Sequence, residues 1–173
     1  QDSGTLIDES QTDHPSVESV TGLNVVALEL FEQDMVGVKG YDSSALEALR
    51  RHNVRIVSKV SNANTITHYV EASLKKVRRV IGELERDFPC AKISARNLAI
   101  VSMIGRQLRG LQSLRIGLEA LNFAGVEVIA AQQNPRNVDI QFVVSREDAE
   151  RSIKALHTEM LNTEAAEALT KAA

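Results

Sequence analysis

The sequence predicts an α+β fold of two ferredoxin-like βαββαβ units in tandem, and two observations carry that prediction. The first is an internal repeat at an offset of 72 residues, in which Leu46-Glu47-Ala48-Leu49 recurs as Leu118-Glu119-Ala120-Leu121 and Val54-Arg55-Ile56 recurs in pattern as Val126-Glu127-Val128. The same offset joins Ala27 to Ala99, Asn62 to Asn134, Ile66 to Val138, Val77 to Ala149, Ile81 to Ile153 and Leu84 to Leu156. A period that long exceeds a solenoid repeat and reads as duplication of a small domain. The second observation is that each half alternates β-branched runs with stretches whose apolar residues recur at helical spacing, in the order β-α-β-β-α.

Residues 1–15 are polar and acidic with little apolar pattern, and read as a linker from a preceding domain. Val17 to Thr21 is a short strand, and Val25 to Phe31 a stronger one. After the Asp34 to Gly40 loop comes a helix. Asp42, Ser43 and Ser44 are its candidate N-caps, Ser44 and Glu47 have capping-box spacing, and Ala45, Leu46, Ala48 and Leu49 form its apolar stripe. Val54 to Ser61 and Thr65 to Glu71 form a hairpin around Asn62-Ala63-Asn64. A helix from Ser73 to about Asp87 buries Leu74, Val77, Ile81, Leu84 and Phe88, and Pro89 ends it.

Ala91 to Arg96 is the closing strand of the first unit. In the second unit Leu98 to Ile104 is a strand, Leu111 to Ala124 a helix, and Val126 to Ala131 with Val138 to Val144 a hairpin. The last helix starts near Ser145, spaced from Asp148 like a capping box, and runs to about Leu161; residues 162–173 form an Ala/Glu-rich tail. No strand follows that helix, so the second sheet is expected to borrow Val17 to Thr21 as its edge. The resulting division is 1–15 linker, 16–97 first unit, 98–161 second unit, with 16–22 assignable to the second sheet. Burial is expected at Ile56, Ile81, Leu84, Leu118, Val128, Ile153 and Leu156.

Composition narrows function. The chain has 173 residues, 43% hydrophobic, with a net charge of −3 and only 3% aromatics, which disfavours a general nucleic-acid binder. No apolar run reaches the roughly 18 residues a bilayer crossing needs, and one cysteine, Cys90, suits a reducing cytoplasm. His14, His52, His68 and His157 are scattered without metal-ligand spacing, and Cys90 has no local base to make it a nucleophile, so it reads as a structural thiol. Gly37-Val38-Lys39-Gly40 lacks P-loop spacing and joins a strand to a helix, unlike the helix-joining GxxG of KH domains. It reads first as a tight turn, and also as a place where helix N-terminal amides could meet a carboxylate. Lys75, Lys76, Arg78 and Arg79 lie opposite an apolar stripe and read as a solvated helix face.

Several segments share a resemblance. They are Ser3-Gly4-Thr5-Leu6-Ile7, then Ser19-Val20-Thr21-Gly22, then Asp34-Met35 followed by Gly40, and Ala48-Leu49-Arg50-Arg51-His52-Asn53-Val54. In the second half they are Phe123-Ala124-Gly125-Val126, Gln133-Asn134, Asp139-Ile140-Gln141-Phe142-Val143-Val144 and Ala155-Leu156-His157. In order and spacing these resemble the regulatory region of aspartate kinases, two ACT domains that follow an amino-acid-kinase domain. Val57 to Tyr69 is most similar to the form of the enzyme found with ectoine-synthesis genes.

The resemblance implies that an amino acid such as lysine or threonine binds between ACT domains of two subunits. Carried over by position, its contacts fall on Met35, Val38, Gly40, Tyr41, Asp42, Ile56, Ser61 and Asn62. This chain departs from lysine-sensitive relatives by Val57 where they place Asp, by Pro135-Arg136 where relatives often have two Ser, and by Arg109-Gly110-Leu111 where they have Pro-Gly. The kinase's Lys-Phe-Gly-Gly-Thr pattern is absent, so no catalytic or metal-binding residue is assigned. ATP and Mg belong to the implied kinase domain, and no cofactor to this chain.

The expectation is therefore a cytoplasmic regulatory and dimerisation region, acting on an attached kinase domain. It would form a homodimer or higher oligomer through its ACT units, with neither nucleic-acid nor membrane partners. The rival readings are an effector-free oligomerisation scaffold and a ferredoxin-like RNA-binding domain. The last requires paired aromatics on central strands, a pattern that Phe31, Tyr69 and Phe142 do not make.

Overall fold

The computed structural model describes residues 16–36, 39–108 and 112–159. The expected linker over 1–15, the tail over 162–173, Val38 and the end of the last helix lie outside the described residues. Strand β1 (Ser16–Phe31) is followed by a short 3-10 turn (Gln33–Met35), helix α1 (Tyr41–Arg51), the hairpin β2 (Arg55–Ser61) and β3 (Thr65–Glu71), and helix α2 (Leu74–Asp87). Strand β4 (Lys92–Arg106), helix α3 (Ser113–Phe123), the hairpin β5 (Ala130–Gln133) and β6 (Asp139–Ser145), and a helix α4 over 149–159 complete the chain.

All neighbouring strands are antiparallel, in the order β2-β3-β1-β4-β6-β5. β1 and β4 run side by side from Ser16 opposite Arg106 to Phe31 opposite Lys92, with a bulge between Val17 and Ser19. β3 joins β1 only along Val26 to Phe31, and β6 joins β4 only along Leu98 to Ile104. Each end of the long ladder is therefore the middle of one βαββαβ unit, with that unit's hairpin on its own side.

Alternation along the strands sorts side chains into three cores. Val26, Leu28 and Val70 face α1 and α2, packing on Ala45, Ala48, Leu49, Val77, Val80 and Leu84. Ala99, Val101, Met103, Ile140, Phe142 and Val144 face α3 and α4, where Leu121 and Leu156 are buried. Val17 and Val20 pack on this second cluster, and a Cβ on Gly22 would stand 2.7 Å from the Ile153 Cδ1 of α4. The start of β1 thus lies under the helices of the second unit.

The third core lies on the opposite faces of the strands, where Val25, Ala27, Tyr69, Leu98, Ile100 and Val143 cluster. β2 and β5 occupy opposite edges of the sheet, about 24 Å apart if it were flat. Yet Gln132 Nε2 donates to Ser58 Oγ at 2.7 Å. The sheet therefore folds back on itself, and the layers run helices, sheet, sheet, helices.

Several expectations held in detail. Ser145 Oγ accepts from Asp148 N before α4, as its spacing predicts, and α2 begins beside Ser73, whose Oγ accepts from Lys76 N as a cap that the sequence reading did not name. Asn62 Oδ1 accepts from the amides of Asn64 and Thr65 to close the hairpin turn. Ile81 and Ile153 pack against the two helix-side cores, and Leu84 and Leu156 are buried within them. In the run 75–79, Lys75, Arg78 and Arg79 are exposed, Val77 is buried, and Lys76 is half-buried with its Nζ donating to Asn53 O at 2.7 Å.

Others need correction. The two expected strands before α1 are one strand of 16 residues, and those between α2 and α3 are one of 15. Asn24 and Asn97 gave no reason to continue pairing, but each long strand is held by the other. The gapless repeat fails at the first strands, since Ala27 lies between the sheets while Ala99 faces helices. Val70 and Phe142 are counterparts, yet their ladder partners Val26 and Val101 stand 75 apart, so the β1–α1 connection is three residues longer than its repeat.

The cap of α1 is Gly40 at φ 108°, a left-handed conformation that favours glycine, and no side chain caps the helix; Ser43 Oγ donates instead to Gly40 O. β5 starts at Ala130, four residues later than expected. Ile56 and Leu118 are exposed rather than buried, Ile56 beside a bulge in an edge strand and Leu118 on the outer side of α3. Cys90 is exposed and so is not a packed structural thiol.

Two helical glycines give a test of opposite signs. A Cβ at buried Gly117 would meet the Phe142 ring at 2.5 Å, whereas one at exposed Gly82 would meet nothing within 4 Å. Gly117→Ala should destabilise by about 1–3 kcal/mol through overpacking, and Gly82→Ala should stabilise by roughly 0.5–1 kcal/mol through helix propensity. Urea midpoints moving in the same direction for both would contradict this packing.

Candidate functional site

The loop after β1, the first turn of α1 and the end of β2 border an open cavity of about 220 Å³ lined by Met35, Gly40, Tyr41, Asp42, Ser61, Asn62, Ala63 and Ile66. Six of the residues named from the sequence, Met35, Gly40, Tyr41, Asp42, Ser61 and Asn62, therefore meet. Ile56 does not, because it sits five residues from Ser61 along an extended strand, about 17 Å away. Val57, where the resemblance pointed to a lost Asp, packs against the core between the sheets rather than lining this cavity.

Each wall has a local cause. Met35 is buried with Leu30 and Ile66, which anchors the loop. Tyr41 stacks on Phe88 with ring centroids 4.5 Å apart, holding the start of α1 against the end of α2. The Asn62 turn fixes the end of β2 by using its own Oδ1 on Asn64 and Thr65. Asp42 occupies the first turn of α1, where the helix dipole favours a negative charge.

Asp42 is also the centre of a charged group that sequence reading missed. Lys59 Nζ donates to Asp42 Oδ2 at 2.5 Å. His68 Nε2 faces Asp42 Oδ1 at 3.5 Å, too long for a good hydrogen bond, and neither buried atom has a hydrogen-bond partner among the described residues. Lys59 and His68 are directly opposite each other in the β2–β3 ladder. His68 is only 1% exposed. Burial pushes its imidazole below the ordinary value, with Asp42 opposing that shift and Lys59 adding to it. The missed signal was the alternation Ile66-His68-Val70, which puts an imidazole on a helix-facing position that an apolar residue would normally take.

A second polar recess of about 280 Å³ lies where β2 meets the other hairpin, lined by Ser58, Gln132, Gln133, Asn134, Asp139 and Gln141. Its side chains are largely engaged with one another. Gln132 donates to Gln141 Oε1, and Asn134 and Gln141 both donate to Asp139. His52, at the end of α1, pairs with Glu83 of α2 at 3.0 Å. Tyr69 and Phe142 are buried in the inter-sheet core and a helix-side core respectively, so neither offers a face for base stacking. Among the described residues no helix is long and apolar enough to cross a membrane.

Comparison with known proteins agrees with this architecture. The chain is 37% identical over 163 residues to the aspartate kinase Ask_Ect of Stutzerimonas stutzeri, an alignment covering 93% of this chain and 34% of the relative. In fold and along its length, the chain resembles the regulatory part of aspartate kinases. The regulatory subunit of the Thermus flavus aspartate kinase superimposes with a TM-score of 0.70 at 16% identity, covering 83% of this chain and 98% of that one. The Clostridium acetobutylicum aspartate kinase gives 0.78 at 15% identity, over 88% of this chain and 36% of that one. Escherichia coli aspartokinase III, solved with lysine and aspartate, gives 0.69 at 18% identity, over 87% and 34%. The chain spans about a third of the length of the curated aspartate kinases it matches. No protein-family model matches it.

The buried imidazole sets a pH dependence in this aspartate-kinase-like fold. With its folded pKa below the unfolded value of about 6.5, His68 binds its proton more readily when unfolded, so stability is full above that value and falls as pH drops below it. Melting temperature should therefore decline on acidification from about pH 6.5, and His68→Ile should flatten that part of the profile. Identical profiles for the two proteins would assign the acid sensitivity elsewhere.

Proposed function

We propose that this chain is the regulatory and dimerisation region of an aspartate kinase, sensing an amino acid and modulating phosphorylation of aspartate by a catalytic domain such as its relatives carry. The observation that supports the reading is the cavity between the β1–α1 loop and the end of β2. It combines an acid at a helix start, the backbone amides of that helix, and the hydroxyl and amide of Ser61 and Asn62. Helix N-terminal amides suit a ligand carboxylate, and Asp42 suits its ammonium. A ligand that binds one arrangement of the units more tightly than another shifts an attached kinase between states by that difference in affinity.

The edge of the sheet supports self-association. Among the described residues β2 is an outer edge of the sheet, carrying exposed Ile56 and Val60, and α1 beside it exposes Leu46. Exposed apolar edge strands invite pairing with another chain, and pairing of two β2 edges would give an isologous homodimer. The same surface serves an effector-free scaffold equally well, so ligand binding separates the two readings.

Sedimentation at micromolar concentration should give a species of at least twice 19.0 kDa, and Val60→Lys should shift it toward the monomer. A purely monomeric wild type would refute the dimer. Calorimetry with lysine, threonine and ectoine-pathway metabolites should detect binding of at least one. Complete absence of binding by a well-formed dimer would favour the scaffold.

A further inference from the structure

The helices of the two units correspond position by position, so each unit shows what the other does with the same place in the fold. In the first unit the flank between α1 and α2 is closed by charge. Arg51 pairs with Glu83, and His52 meets the same carboxylate at 3.0 Å. Leu49 and Leu121, like Leu84 and Leu156, are buried counterparts in the two helix-side cores. That correspondence puts Phe123 in the place of Arg51 and Ala155 in the place of Glu83. The second unit thus has two apolar residues where the first has an ion pair. Phe123 is nonetheless 89% exposed, and no large apolar side chain among the described residues is more so. Ile116, two helical turns earlier on the same flank, is half-buried.

The direction of the helices decides which part of the chain can reach this flank. In the first unit the start of α2 meets the end of α1, with Lys76 Nζ donating to Asn53 O, and its end meets the start of α1, with Phe88 stacked on Tyr41. In the second unit Arg151 Nη2, early in α4, likewise donates to Gly125 O just beyond α3. The pair is therefore antiparallel, and α4 reaches residue 159 near the start of α3. From there back to Phe123 is about the length of α3, roughly 16 Å for its 11 residues.

Beyond residue 159 the sequence places Leu161, Ala165, Ala168, Leu169 and Ala172 at the spacing of one helix face, with Thr163, Glu164, Glu167, Thr170 and Lys171 between them. Such a stripe has no core of its own and is stabilised only against an apolar surface. Leu169 lies ten residues past Glu159, and ten residues of extended chain span up to roughly 33 Å, about twice the distance to be covered.

We propose that residues 161–172 pack along the α3–α4 flank of their own chain, with Leu169 over Phe123. The segment then closes the second unit by apolar burial where the Arg51–Glu83 pair closes the first by charge, and it withholds an aromatic surface from other chains. Neither the ligand cavity nor the β2 edge enters this argument, so the sensor and dimer readings stand or fall separately.

The chain contains no tryptophan, so Phe123→Trp introduces a single reporter. Its emission and acrylamide quenching are measured across a dilution series, in the otherwise unchanged chain and in one that also carries Leu161→Gln and Leu169→Gln. The expected result is a blue-shifted, weakly quenched indole in the first protein at every concentration, and loss of both properties in the second. Hydrogen exchange on the unsubstituted chain gives an independent reading. Amides between 163 and 172 should be protected, and Phe123→Ser should remove that protection while leaving it intact in β6.

Tail amides that exchange at the unprotected rate in the unsubstituted chain would overturn the inference, as would protection indifferent to Phe123→Ser. An indole equally quenched in both tryptophan proteins would also count against it. Shielding that survives the two glutamines would overturn it as well, in favour of a second copy as the cover if dilution abolishes it.

Discussion

The long antiparallel ladder between β1 and β4 is the constraint on which the rest of the molecule depends. A ferredoxin-like unit needs four strands to cover two helices; the first half has them in β1, β2, β3 and the opening of β4, whereas the second has only the rest of β4, β5 and β6. The ladder resolves the shortage by sharing both long strands. β4 closes the first unit with its opening residues and begins the second with the rest, while β1 begins the first unit and lends residues 16–22 to the second. Val17, Val20 and Gly22 under α4 show that the loan is a matter of packing as well as hydrogen bonding. The same crossing turns the two back faces toward each other, which creates the inter-sheet core and brings Ser58 to Gln132.

Local chemistry made much of this legible in advance. The capping spacing at Ser145, the Asn62 turn and the helical stripes of α2 and α4 depend on residues within a few positions of one another, and periodicity reads such interactions directly. What depended on distant partners was read less well. Nothing near Asn24 or Asn97 announces that strands continue through them, because each is held by the other across the ladder. The three extra residues between β1 and α1 were hidden because the helices and the second strand of each hairpin keep the 72-residue offset even though the first strands do not. Ile56 and Leu118 have core chemistry, but an edge strand and an outer helix side leave them in solvent.

The candidate site divides in the same way. Resemblance gathered Met35, Gly40, Tyr41, Asp42, Ser61 and Asn62, and the fold brings those six around one cavity. It also named Ile56, which lies far along β2. It gave no hint of His68 or Lys59, since their importance rests on cross-strand register and on the approach of α1 above them. Those are tertiary facts. The longer β1–α1 connection occurs at this cavity, so the first unit departs from its repeat in loop length there.

The ladder can be tested by native-state hydrogen exchange across a urea series, following amides of β3 in the first unit and of β6 in the second. If the second unit is completed by the start of β1 and the two share one ladder, both sets should converge on one global unfolding free energy with one urea dependence. If β6 amides instead merge into a separate opening at lower free energy and smaller urea dependence, while β3 retains full protection, the two units are independent modules and the interlocked account is wrong.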